Sequence, residues 1–460
     1  MFSILACSQG YLTAYELTAT ALQAQSGVGG SEVTLPPSGT TESGDPEDSE
    51  DPVNSSETQM PVQIQTEKAA TEAALTTPLA PVMYTTQAGD TLPAIAARFD
   101  VEPGEIQSVE AIPLTGLIDA GKLLIIPSPL RETGPKDLIV PDSEVVFSPS
   151  ALDFDITAFA NQAGGYLSTY REYLANGWTS GAEVIYKVAI ENSINPRLLV
   201  ALIEFQSGWV YGQPTNLAST DYPLGWVHTE KKGLYKQLSW AVQHLSIGYY
   251  GWRAGILTKI KFEDGSVVRI APHLNAGTVA VQQFFSQIYE PILWNGVLGG
   301  NESFASLYNQ MFGDSWLRAQ AVEPLLPVNL TQPEMILPFL PGHTWSFTGG
   351  PHSAWGPDGA LAALDFAPSS VESGCVSSDE WVTAVTGGQV LRSENGVVIL
   401  DTDGDGREQT GWVILYLHIE SRNRAAVGTW LAQGDLVGHP SCEGGVATGT
   451  HVHIARKYNG

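Results

Sequence analysis

The sequence predicts a multidomain chain in which a small βααβ module, a mainly α domain and a C-terminal all-β domain on an antiparallel sheet follow one another. Three observations predict it. Between about 151 and 320 the apolar residues fall at helical spacing. From about 342 to 460 they fall in short β-branched runs separated by Gly or Asp turns. Ahead of both, residues 82–128 read as strand, turn, short helices and closing strand. A length of 460 residues leaves room for about three such units.

Composition narrows the function. The net charge is −27, the pI is near 4.5, and Lys plus Arg total 22, too few for a basic patch. That argues against nucleic acid and anionic lipid surfaces as partners. No run of about 18 apolar residues occurs, so no transmembrane helix is expected. Of three cysteines, Cys375 and Cys442 lie in Gly/Ser-rich loops and read as one disulfide, with two free thiols as the alternative. A disulfide implies an oxidising compartment, hence a secreted protein.

The remaining cysteine lies in Ile4-Leu5-Ala6-Cys7, which resembles the lipobox of bacterial lipoproteins. The resemblance implies a lipid anchor on Cys7 and makes residues 1–23 the remnant of a signal whose start lies upstream of Met1. The alternative is a chance match. Residues 24–81 are rich in Ser, Thr, Pro, Gly, Asp and Glu and read as a disordered, self-repelling acidic linker.

Residues 82–128 follow. A strand carrying Tyr84 meets the turn Gly89-Asp90-Thr91-Leu92, then a helix with Ile95, Ala96 and Phe99 on one face. A second short helix is expected around 104–109, and Gly121-Lys122-Leu123-Leu124-Ile125-Ile126-Pro127 closes the unit as a strand. These residues resemble a LysM module, which implies binding to N-acetylglucosamine-containing glycans such as peptidoglycan or chitin. The Asn usual before the last strand is not found in Val109-Glu110-Ala111-Ile112.

Residues 129–150 read as a Pro-containing connector. In 151–320, Ser180-Gly181-Ala182-Glu183 is a capping box, and Asn195-Pro196 starts a helix. Further helices are expected around 234–249, 274–288 and 303–312. The stretch Asn195-Pro196-Arg197-Leu198-Leu199-Val200-Ala201-Leu202-Ile203, Ser207-Gly208 and Asn275-Ala276-Gly277 resembles the lysozyme-like fold of lytic transglycosylases. That family places its catalytic Glu directly before Ser-Gly. Gln206 stands there and cannot donate a proton, and Glu204 faces the other side of the helix, so the resemblance implies an inactive domain. A helical domain unrelated to lysozyme is the alternative. Residues 321–341, with Pro324, Pro327, Pro333, Pro338 and Pro341, form a linker or an extended arm on the next domain.

The last unit, 342–460, holds six of the nine histidines. Trp381–Val385, Gly388–Arg392, Val397–Asp401 and Trp412–His418 read as strands. His451 and His453, one residue apart, share a strand face, which suits a metal better than a core. With His352, Asp365 and His418 they offer a catalytic zinc three ligands, an open position and two proton-handling partners. Asp358 is a rival for Asp365 and His343 for His352; an apolar strand flank favours Asp365, and Gly349-Gly350-Pro351 favours His352. His439 is expected at the surface or rim.

His352, Asp365-Phe366-Ala367-Pro368, Tyr416-Leu417-His418 and Gly449-Thr450-His451-Val452-His453, in that order, resemble the LytM/lysostaphin-type zinc endopeptidases. The resemblance implies one Zn2+ on His352, Asp365 and His453, with His418 and His451 catalytic, and cleavage of peptidoglycan peptide cross-links through a zinc-activated water. One departure is the spacing: twelve residues separate His352 from Asp365 where the family has three. Asp401-Thr402-Asp403-Gly404-Asp405-Gly406 looks like the start of a calcium loop. Trp412 stands where its closing Glu belongs, which leaves a weak Ca2+ site at Asp401, Asp403 and Asp405 or a solvated turn. The expectation is therefore a zinc endopeptidase at the cell envelope or outside the cell, located by its LysM module. The alternative is a non-catalytic wall-binding protein or regulator on a degenerate peptidase domain.

Overall fold

A computed structural model describes residues 80–460 except 128, 129, 131, 176, 357, 358 and 371. Cys7, its flanking segment, nearly all of the acidic linker and the rival ligand Asp358 lie outside the described residues. Pro81–Gly460 forms one compact unit.

Its first part is a three-stranded sheet, β1 (Val82–Thr85), β2 (Gln107–Ser108) and β3 (Leu123–Ile126), with β3 central. Thr91 caps the helix Leu92–Phe99 by accepting from Ala94 N, and Ile95, Ala96 and Phe99 are buried as the pattern predicts. The expected second helix is instead one 3-10 turn, Pro103–Glu105, followed by β2. Past that turn, Pro113, Gly116 and Gly121 leave no stretch on which a helix could propagate. Asp90 is fully buried because Arg98 ion-pairs with it at 2.6 Å, and Tyr84 Oη donates to it at 2.7 Å.

Arg98 also ties this module to the helical region. Its Nε donates to Trp252 O at 3.1 Å, and its guanidinium lies over the Trp252 ring. In return, Arg269 Nη2 donates to the carbonyls of Ala97 and Arg98, both at 2.8 Å.

The helical region packs around Pro196–Ser207, whose residues Leu198 to Ile203 are all buried. Asn195 caps it, and Gly208, at φ +66, ends it in the left-handed conformation. Gly181–Asn192 begins with the predicted capping box. Leu234–Arg253, Ala276–Phe285 and Phe304–Phe312 match the other expected helices. The hairpins β4–β5 (Arg171–Leu174, Gly177–Ser180) and β6–β7 (Lys259–Lys261, Val267–Arg269) have strands of only three or four residues and were not foreseen. The connector 129–150 also differs from expectation. Ile139, Val140, Val145, Val146 and Phe147 are core residues of the helical region. Within that stretch, Glu144 is held by Arg318 at 2.8 Å and by Tyr308. Pro141 breaks the periodicity that would have revealed them.

Past Leu325 the Pro-rich segment runs as an arm along the last sheet. Ile336 N donates to Val385 O, Thr383 N donates to Pro338 O, and Phe339 stacks on Trp345. The remaining strands are β8 (Trp345–Ser353), β9 (Leu361–Pro368), β10 (Val382–Thr383), β11 (Gly388–Glu394), β12 (Val397–Asp401), β13 (Trp412–Leu417), β14 (Trp430–Leu431), β15 (Leu436–Gly438) and β16 (Val452–Tyr458). Seven of them form the antiparallel order β14-β11-β12-β13-β16-β9-β8, and β10 pairs with β15. One face buries Val390, Val398, Leu400, Ile414, Tyr416 and Val452. The far end of β16 meets the helical region: Lys457 Nζ donates to Ser193 Oγ and Asn459 Nδ2 to Leu325 O.

One histidine of the helical region has a consequence for stability. His244 packs edge-on against Trp240, its Nδ1 is buried without a partner, and burial pushes its pKa down to about 4. The unfolded chain takes up that proton near 6.5 and the folded chain near 4. Stability is therefore greatest above about pH 6.5 and falls as the pH drops toward 4. In urea titrations across this window, His244→Leu should lose less stability on acidification than the wild type.

Candidate active site

The candidate site is built where β8, β9 and β16 meet the end of β13. Asp365 on β9 stands directly opposite His453 on β16, and His453 in turn faces Leu417 on β13. His352 comes from β8, in register with Ala363. The twelve-residue separation is thus a hairpin: β8 and β9 are antiparallel neighbours, and their loop carries the extra residues. Gly350 allows the close approach. Its φ is +132, and a Cβ there would fall 2.7 Å from Ala363 O.

Four imidazoles surround Asp365, and each fixes one ring nitrogen on a main-chain carbonyl. His352 Nδ1 faces Ser353 O at 3.2 Å, and His453 Nε2 faces Ala354 O at 2.9 Å. His418 Nδ1 faces Glu443 O at 2.9 Å, and His451 Nδ1 faces Gly449 O at 2.7 Å. A carbonyl only accepts, so each of those nitrogens carries the proton and the other is a bare lone pair in the neutral ring. Three of the bare nitrogens converge on Asp365: His352 Nε2 at 3.0 Å, His453 Nδ1 at 3.2 Å and His451 Nε2 at 3.7 Å. The His418 ring lies 4.5 Å from that of His451 and 6.2 Å from that of His453.

This donor set fits a cation. Ligand atoms of His352, Asp365 and His453 all lie within 4.8 Å of one another. Asp365 Oδ1 is buried and takes no hydrogen bond, although His453 Nδ1 is close by. Burial alone would raise the Asp365 carboxyl; when the rings are protonated, hydrogen bonds from His352 and His453 and the positive charge of His352 and His451 hold it well below the usual carboxylate range. Lone pairs on two imidazoles and an ionised carboxylate are what a zinc-type ion accepts. Burial, with His451 beside it, pushes His418 down to about 4, so it is neutral at ordinary pH.

His418 sits just past β13 with φ +65, a left-handed conformation rarely adopted by a side chain of this size. Its carbonyl is held there by Ser441 N and Ser441 Oγ, and its ring passes so close to Gly445 that a Cβ would lie 3.2 Å from Cε1. The disulfide Cys375–Cys442 is formed, with Cα atoms 5.8 Å apart. Cys442 precedes Glu443, whose carbonyl orients His418. Beside Cys375, Gly374 O accepts from Thr450 N, and Val376 N donates to Thr450 Oγ1. The bridge therefore braces both loops that present His418 and His451.

The other candidates fall elsewhere. His343 is exposed and pairs with Glu380. His439 was expected at the surface; it is instead buried, its ring 3.9 Å from that of Trp381 and its Nδ1 on Glu380 O. A half-apolar ring over an indole needs only one carbonyl to be satisfied there. Asp401 is fully buried and accepts from Asp403 N, Gly404 N and Gly406 N, so it organises a turn. Burial and neighbouring Asp401 push Asp403 up to about 6; ligand atoms of Asp401, Asp403 and Asp405 lie within 4.8 Å of one another, but those of Asp401 are already spent on turn amides. The carbonyls that orient the imidazoles had no signal in the sequence, because every residue carries one.

A model of the LasA N-terminal domain matches residues 138–327, and a LysM domain model matches 84–127. Protease LasA of Pseudomonas aeruginosa is 28% identical over 349 residues, 69% of this chain and 73% of the relative. The same protease from a second strain is 27% identical. Among solved structures, the M23 metalloprotease pseudoalterin from the deep sea is 28% identical over 28% of this chain and 73% of its own, with TM-score 0.23. The catalytic domain of lysostaphin from Staphylococcus simulans is 22% identical over 26% and 82%, with TM-score 0.19. The chain is a relative of protease LasA that resembles the LytM-type M23 peptidases and carries a LysM module.

Replacing both Cys375 and Cys442 by Ser removes a bridge between residues 67 apart in sequence. Loop-closure entropy sets the loss at up to about 4 kcal/mol. We expect a lowered denaturation midpoint, and loss of activity at temperatures where the variant is still folded, because Glu443 and Thr450 lose their brace.

Proposed function

We propose that this chain is a zinc-dependent endopeptidase that hydrolyses the peptide cross-links of bacterial peptidoglycan and is brought to its substrate by the LysM module. One observation carries the reading: His352, Asp365 and His453 turn their ligand atoms inward while carbonyls hold the outward nitrogens of the two rings. Orientation by outer carbonyls is the arrangement of a built metal site. The relationship to protease LasA supports peptidase chemistry, and the LysM match supports a glycan-bearing wall as its location. The cell envelope or the outside of the cell follows from the same match and from the disulfide.

His352, Asp365 and His453 would hold the zinc. When bound, it supplies Lewis acidity for the scissile carbonyl and an acidified water with a pKa near about 7. The chain's own residues do the rest. His451 Nε2, turned toward the centre because Nδ1 is committed to Gly449 O, accepts the proton of the attacking water. His418, beside His451 with Nδ1 on Glu443 O, presents only its Nε2 lone pair and so accepts a hydrogen bond from the attacking water and keeps it oriented. His451, having taken that proton, returns it to the leaving amine. The near-full burial of His418 and His453 keeps competing water from their rings.

The lysozyme-like resemblance read in the sequence contributes no glycan cleavage to this reading, and it is the LasA N-terminal domain that the helical region matches. Gln206 Oε1 accepts from Tyr289 Oη at 2.8 Å, and Glu204 is spent on the amides of Val210 and Tyr211. Neither is poised as a general acid. The alternative, a wall-binding protein on a degenerate peptidase fold, is disfavoured because all three ligands and both partner histidines meet in one place.

Refolded protein should bind about one zinc per chain by elemental analysis, and His453→Ala should lose most of it. His451→Ala should keep the zinc and lower turnover roughly 10²- to 10⁴-fold. Digested cell walls should yield new amino termini without new reducing ends. Reducing ends that persist in His451→Ala would assign the activity to the helical region instead.

A further inference from the structure

The cleft between the LysM module and the helical region has no part in peptide cleavage, yet it is lined like a binding site. A cavity of about 500 Å³ lies between Gln87 on the LysM side and Asp142, Arg253, Asn275, Trp316 and Glu323 on the other. A second, of about 350 Å³, continues along the LysM turn and the start of the Pro-rich arm, and the two share Ala88, Ala120 and Leu326. Together they make one continuous groove.

The polar groups facing this groove are under-used. Arg253 makes one hydrogen bond, Nη1 to Tyr249 Oη at 3.3 Å, and among the described residues no carboxylate lies within 4.0 Å of it. A guanidinium has five N–H donors. The group is fixed against the LysM turn: a Cβ on Gly89 would come 1.9 Å from its Nη2. Asp142 uses only Oδ1, for Asn275 Nδ2 and Gly277 N, and Glu323 uses only Oε1, for Ser143 N. Asn275 Oδ1 is buried without a donor. Free donors and free acceptors beside an indole suit hydroxyl and amide groups, which both give and take hydrogen bonds, and the apolar face of a sugar ring. Two carboxylates against one guanidinium disfavour a polyanion. The walls are preformed, because Arg98 and Arg269 lock the module to the helical region.

We propose that the LysM module and the helical region form one composite site for a neutral, N-acetylated saccharide chain, in which Arg253 and Trp316 of the helical region are binding residues. The choice of polymer rests on the peptidoglycan reading above; the site itself does not. The test is calorimetric titration of the full chain with chitopentaose, which contains no cleavable peptide, so its outcome is independent of the peptidase. Binding by the wild type, weakened at least ten-fold in both Arg253→Gln and Trp316→Ala, is the expected result. Unchanged binding in both variants would leave the LysM module as the whole site and overturn the proposal, as would no binding by the wild type. If the thermal transition of Arg253→Gln shifts, Trp316→Ala, on a different element, decides in the same two ways.

Discussion

The candidate centre depends on one cross-strand pair, Asp365 on β9 opposite His453 on β16. Side chains alternate along a strand, so this register puts a carboxylate and an imidazole on the same face of the sheet. A slip of one residue would send His453 into the core and bring Val452 or Ile454 to the site. The register is held from the other face, where Val452 is fully buried among Val398, Leu400, Ile414 and Tyr416. The apolar face of the sheet thus fixes the chemistry of the polar one. His352 is added by the hairpin β8–β9, and His418 and His451 by loops on either side of the disulfide.

Much of this was legible from residue types alone. The caps at Ser180 and Asn195 and the strands from 382 to 417 follow from patterns that local physics imposes, and the structure brings together the five residues His352, Asp365, His418, His451 and His453 that the sequence singled out. What escaped depends on contacts distant in sequence. The twelve-residue gap between His352 and Asp365 looked like a departure, but across an antiparallel hairpin it brings the two side chains within 3.0 Å. His439 looked like a surface residue until Trp381 covered it. The buried run Ile139 to Phe147 was hidden by its proline, and the second LysM helix failed for want of helix-forming residues. Carbonyls that set the histidine tautomers leave no mark in a sequence.

The architecture also separates tasks. The helical region meets the sheet at the far end of β16, through Lys457 and Asn459, while His453 stands near the beginning of that strand. The LysM module is docked on the helical region by a buried arginine that serves two masters: Arg98 neutralises Asp90 inside the module and caps the carbonyl end of the Leu234–Arg253 helix outside it. A charge so buried is costly unless paired and hydrogen-bonded, and here both conditions are met. The LysM module and the histidine cluster are therefore placed at fixed positions on one body.

The central claim is that two imidazoles and one carboxylate of this chain hold a zinc ion. X-ray absorption at the zinc edge of the reconstituted full-length protein addresses it directly. The account predicts a shell of nitrogen and oxygen ligands at about 2.0–2.2 Å, with imidazole scattering from two histidines and no sulfur. A sulfur shell near about 2.3 Å, or an ion surrounded by oxygen alone, would contradict it.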